Sequence, residues 1–81
     1  MTRLPRDVSG AALARALGKL GYAVIRQTGS HIRLTREGPS EHHITIPNHN
    51  PLKIGTLSAI LRDVAARAGI SREQLIETLS L

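Results

Sequence analysis

Two short stretches of the chain, SHIRLTR (30–36) and HHITIP (42–47), alternate apolar and polar residues on either side of the turn sequence EGPS (37–40). A strand points successive side chains to opposite faces, so this alternation places Ile32, Leu34, Ile44 and Ile46 on one face. His31, Arg33, Thr35, His43 and Thr45 fall on the other. Upstream, YAVIRQ (22–27) is rich in strand-forming residues and follows a glycine. Thr28 and Gly29 join it to the second strand, and Gly29 is expected to supply the positive φ of a short hairpin loop, with a bulge a common companion. In the first strand the favoured parity turns Tyr22 and Val24 inward and leaves Ala23, Ile25 and Gln27 outward. Pro47 ends the third strand or marks it as an edge.

A three-stranded antiparallel meander with one apolar face needs something to cover that face. The flanking segments have the required period. Over 10–20, Leu13, Ala16, Leu17 and Leu20 recur at i, i+3, i+4 and i+7, with Ser9 as the expected N-cap and Gly21 as the stop. Over 55–68, Leu57, Ile60, Leu61, Val64 and Ala68 line a second helix that Gly69 terminates. Ser71 and Gln74 form a capping box that opens a last short helix carrying Leu75, Ile76 and Leu79. The fold class is therefore α+β: an α-β-β-β-α order with helices packed on one face of the sheet, plus a short C-terminal helix. It is the layout of a double-stranded-RNA-binding domain, an analogy that leaves function open. The 81 residues suit one domain, with 1–8 as a leader, 48–55 as an irregular connection and 70–81 as a C-terminal helical extension.

With Tyr22 as the one aromatic residue, the core must be aliphatic. The absence of cysteine removes disulfides and thiolate zinc sites, and suits the cytosol. The N-terminal MTRLPRDVSG has no apolar run of signal-peptide length, and no segment approaches the roughly 20 apolar residues of a membrane span. These features read as a soluble, cytoplasmic chain. Its net charge is +5, and nine of the eleven cations are arginine, the side chain best shaped for bidentate phosphate contact. Such a surface suits nucleic acid or an acidic protein. An anionic membrane fits less well, because neither long helix has a dense basic face.

The histidines are His31, His42, His43 and His49. Their spacing does not suit zinc: His42 and His43 are adjacent on a strand and point apart, and no helical H-x-x-x-H pair exists. His42 reads as a pH-sensitive surface residue, His43 as a companion of His31 on the outer face, and His49 as a loop residue or minor contact. His31 has the distinctive setting, directly after Gly29 and Ser30, with Arg33 two residues on and Arg26 across the turn. RNA cleavage needs a base for the 2′-OH, an acid for the leaving 5′-oxygen, and cations or amides for the charged phosphorane. Histidine titrates near neutrality and suits both proton transfers. Exposed histidines are usually inert, so the pattern alone leaves catalysis and turn chemistry both open.

The stretches LGYAVIRQTGSHIRL (20–34), HITIPNHN (43–50) and LKIGTLSAILRDVAARAGIS (52–71) resemble the HicA family, toxin halves of type II toxin–antitoxin pairs. The similarity covers about residues 9–70 and rests on the order of Gly21-Tyr22, Arg26-Gln27, Gly29-Ser30-His31, Ile46-Pro47, His49 and Gly55-Thr56-Leu57. It implies a double-stranded-RNA-binding-like fold and a ribosome-independent, metal-free endoribonuclease acting on mRNA, with no cofactor. His31 takes the place of the catalytic histidine, and the partner is a HicB-type antitoxin that covers it. Around His31, Ser30 and Gly29 are expected to hold the turn, Arg26, Arg33 and Lys53 to bind the RNA backbone, and Gln27 to support the site. Lys53 and Thr56, at the second helix start, suit phosphate contact or ordinary capping equally. The chain departs from the family in its extended ending and in its irregular NHNPLKIG connection. Self-association is left open. Two other functions compete: a non-catalytic RNA-binding domain using the same basic face, and a small adaptor for an acidic protein.

Overall fold

The computed structural model describes residues 4–39 and 41–81; the first three residues of the leader and Ser40 of the second turn lie outside them. The chain runs α1 (Gly10–Leu17), a 3-10 turn (Gly18–Leu20), β1 (Ala23–Gln27), β2 (His31–Arg36), β3 (His42–Pro47), α2 (Ile54–Ala68) and α3 (Arg72–Leu79). The strands form one antiparallel sheet in the order β1-β2-β3. This is the α-β-β-β-α order with an added C-terminal helix, consistent with the double-stranded-RNA-binding layout.

The helix ends follow the sequence. Ser9 accepts the amide of Ala12 at 3.0 Å and caps α1. The last turn of the first helix tightens to 3-10 geometry and stops at Gly21, which takes the left-handed φ of 90°. Ser71 and Gln74 make both bonds of the capping box that opens α3. Helix α1 packs against all three strands, α2 against β3, and α3 against α2. Leu13, Leu17, Ile32, Leu34, Ile46, Leu57, Leu61, Val64, Leu75 and Leu79 meet there almost fully buried. Each such side chain contributes roughly 1.5–3 kcal/mol relative to exposure, and that is how a core with one aromatic residue holds together. The leader is tied in too: Val8 is buried, and its carbonyl accepts the amide of Leu52 at 2.8 Å.

Three expectations need correction. In β1, Tyr22 is buried, but every strand residue is exposed, Val24 included. Val24 lies opposite Leu34 and so points to the helix side, but β1 is an edge strand and leaves it 48% exposed. The register then shifts at Ile25, so Arg26 faces Arg33 and Gln27 faces Ile32. One extra residue reverses the parity beyond it, sending Gln27 to the inner face and Arg26 to the outer one. Second, Gly29 does not take a positive φ; the glycines that do are Gly21, Gly38 and Gly69.

Third, His42 is buried rather than on the surface. It shares strand parity with Ile44 and Ile46, and its ring is satisfied on both sides. Nδ1 lies 2.6 Å from the Tyr22 hydroxyl and Nε2 lies 3.0 Å from Asp63 Oδ2. The Asp63 carboxylate only accepts, so in the neutral ring Nε2–H donates to it and Nδ1 accepts the Tyr22 O–H. Burial pushes the Tyr22 hydroxyl above its ordinary pKa, against the opposing pull of the Arg36 guanidinium.

Candidate active site

The hairpin between β1 and β2 is closed by Thr28. Its amide donates to the His31 carbonyl at 2.9 Å, and the His31 amide donates to Thr28 Oγ1 at 3.1 Å. The threonine hydroxyl thus does what a backbone carbonyl does in an ordinary turn. That is why Gly29 escapes the left-handed conformation expected of it.

A second anchor comes from the far side of the sheet. The Asn48 amide donates to the Ser30 carbonyl at 2.9 Å, and Asn48 Nδ2 reaches the Gly29 carbonyl at 3.5 Å. Asn48 directly follows β3, and the next residue is held in turn: the Gly10 amide, at the start of α1, donates to the His49 carbonyl at 2.9 Å. The hairpin tip is therefore tied to α1 through 48–49.

On this base His31 stands exposed at the start of β2. Its Nδ1 lies 2.9 Å from Ser30 Oγ, while Nε2 has no hydrogen-bond partner among the described residues. A serine hydroxyl can either donate or accept, so it accommodates the ring in either protonation state. Arg33, two residues along the strand and about 7 Å away, projects from the same face. Arg26 sits across from Arg33 on β1, and Thr45 flanks Arg33 on β3. Both arginines are exposed, and among the described residues neither forms an ion pair.

The structure thus brings His31, Ser30, Gly29, Arg33 and Arg26 together. Gln27 is not brought in: it faces Ile32 on the opposite side and makes no hydrogen bond to the turn. Lys53 is the N-cap of α2, exposed and making no side-chain cap bond. It caps the helix through its backbone carbonyl, which accepts the Leu57 amide at 2.9 Å, and no hydrogen bond joins its side chain to the turn. His43 pairs with Glu41 at 3.2 Å on the exposed side of β3. Among the described residues no group of three or more histidine or acidic side chains is placed to hold a metal ion. Thr28 and Asn48 are the supporting residues that sequence reasoning missed. A threonine just before a Gly-Ser turn is a recognisable signal; Asn48 acts across the sheet and leaves none.

The site is thus an exposed imidazole on a braced hairpin, beside two guanidiniums that make no ion pair among the described residues, on the outer face of the sheet of a small α+β domain. A family model described as the HicA toxin of bacterial toxin–antitoxin matches residues 10–65, and the chain belongs to that family. The match spans α1, the whole sheet and most of α2, and so contains every residue of the site; α3 lies beyond it. The chain is thus of the toxin class of a toxin–antitoxin system, a class that implies an antitoxin partner. Comparison with curated proteins and with solved structures found no match. Among the described residues no helix is long and apolar enough to cross a membrane.

Proposed function

We propose that this chain is an endoribonuclease that cleaves mRNA in the cytoplasm, with His31 moving the protons. In this reading Nε2 takes the proton of the ribose 2′-OH as that oxygen attacks phosphorus. The bond from phosphorus to the 5′-oxygen breaks, and the imidazolium returns its proton to the leaving oxygen. The products are a 2′,3′-cyclic phosphate and a free 5′-hydroxyl. Ser30 Oγ accepts from Nδ1–H while the ring is charged. Arg26 and Arg33 neutralise the phosphate as charge builds on its equatorial oxygens. These steps need no metal. A histidine without a second acid or base beside it makes for a slow enzyme.

The observation that carries this reading is the open Nε2 of a ring held at Nδ1 by Ser30. A HicB-type antitoxin is the proposed neutralising partner. Acidic side chains on it would satisfy Arg26 and Arg33 and close the face to RNA. The test is induction in a bacterium. The wild-type chain is expected to arrest growth and deplete mRNA, and His31→Ala at equal folded levels is expected to do neither. Arrest that persists in the His31→Ala strain would leave only a binding role for this face.

A further inference from the structure

The geometry points to Thr28 as a positioning residue of this site: its hydroxyl sets where the His31 ring stands, and with it the rate of the chemical step. The inference rests on the proposed role of His31, but adds a residue that the Gly-Ser-His sequence does not contain. Thr28 is exposed and buries no core surface, so packing gives no reason for its side chain. What the side chain does is local. Its Oγ1 accepts the His31 amide at 3.1 Å and approaches the His31 carbonyl at 3.4 Å, while the Thr28 amide donates to that same carbonyl at 2.9 Å. Both backbone polar groups of His31 are thus engaged by one residue.

The consequence follows from the strand geometry. His31 is the first residue of β2, and because the neighbouring Ser30 carbonyl takes the Asn48 amide, His31 and Pro47 form a non-hydrogen-bonded pair, with the His31 amide and carbonyl both turned toward β1. The β2–β3 ladder therefore places no bond on the His31 backbone itself, and Thr28, just past the end of β1, supplies the restraint on both of its polar groups. The ring's bond to Ser30 Oγ depends on adjacent backbones keeping their relative pose. Remove the Thr28 hydroxyl and the His31 amide, being exposed, turns to water at little cost in stability. The ring then samples poses in which Nε2 is off line. Displacements of about 1 Å cost on the order of a hundred-fold in rate when a reaction needs an aligned group. RNA binding, which rests on Arg26 and Arg33, is not touched.

The experiment uses the full chain with Thr28→Val, Thr28→Ser and His31→Ala beside wild type. It reads single-turnover cleavage of an RNA oligonucleotide, RNA affinity, and the imidazole nitrogen NMR signals of His31 without RNA. Thr28→Val, which keeps the branched shape and loses the hydroxyl, is expected to cleave on the order of ten- to a hundred-fold more slowly at unchanged affinity, with shifted His31 signals. Thr28→Ser, which keeps the hydroxyl, is expected to stay close to wild type in all three. Thr28→Val matching wild type in rate and in ring signals, while His31→Ala is inactive, overturns the inference. If His31→Ala cleaves as well as wild type, the proposed catalytic role falls. The ring signals then still decide about Thr28, and unchanged signals in Thr28→Val refute its positioning role.

Discussion

Arg26 and Arg33 stand directly opposite each other on adjacent strands, two like charges that pair with no carboxylate among the described residues. Such a pair costs stability in a sheet, a few tenths of a kcal/mol when exposed. Arg33→Gln should therefore leave the melting temperature unchanged or slightly raised. The same change should weaken RNA binding and flatten its salt dependence. The log–log slope is expected to fall by about 0.7 for each lost phosphate contact on a single strand. Titrations of wild type and variant with one oligonucleotide across a salt series measure this. A lower melting temperature with an unchanged salt slope would mean that Arg33 serves the fold instead.

Gly10 gives a different kind of prediction. A Cβ there would run into the carbonyl of Pro47, and into Asn48 behind it. Gly10→Ala must push the connection away from α1, at a cost of about 1–3 kcal/mol. Because Asn48 braces the hairpin tip, cleavage should fall by more than the loss of folded protein explains. Gly55→Ala is the control: its Cβ meets nothing, and the change should be neutral or stabilising. Denaturant melts and rates per folded molecule for the two variants separate the effects.

The Tyr22–His42–Asp63 chain links the start of β1 to β3 and α2. Tyr22→Phe leaves Nδ1 of a buried imidazole without its donor, a loss of about 1–3 kcal/mol at neutral pH. The folded protein also holds the Tyr22 pKa above its unfolded value, chiefly by burial. The resulting stability is fully present below the unfolded value of about 10. It is lost as pH rises from there through the raised folded value, because the unfolded chain releases the proton first. Wild type should therefore weaken more steeply than Tyr22→Phe above about pH 10. Parallel slopes in denaturation at neutral and alkaline pH would contradict this.

What the sequence discloses depends on whether a residue's role is local. Ile32, Leu34, Ile44 and Ile46 lie where simple alternation puts them, because β2 and β3 run in register without a break. The Ser71–Gln74 capping box is likewise a contact across three residues. The same alternation carries His42 inward with Ile44, but the partner that makes its burial tolerable, Asp63, comes from another element. Strand β1 resists reading for two reasons: it is an edge that buries none of its residues, and the bulge at Ile25 breaks its period. That bulge decides that Arg26, and not Gln27, shares a face with His31. The His31 turn was visible as Gly-Ser-His. Thr28, just before that turn, leaves a local signal, whereas the bracing by Asn48 leaves none, because it reaches Ser30 and Gly29 from beyond β3.

The central claim is that His31 moves the protons of RNA cleavage. It is tested most directly by incubating purified wild type and His31→Ala with an end-labelled RNA in chelator and analysing the product termini. Wild type is expected to yield 2′,3′-cyclic phosphate and 5′-hydroxyl ends, and His31→Ala to fall by on the order of 10²–10⁴-fold while still binding RNA. Equal cleavage by both proteins, or wild-type products bearing 5′-phosphates, would contradict the account.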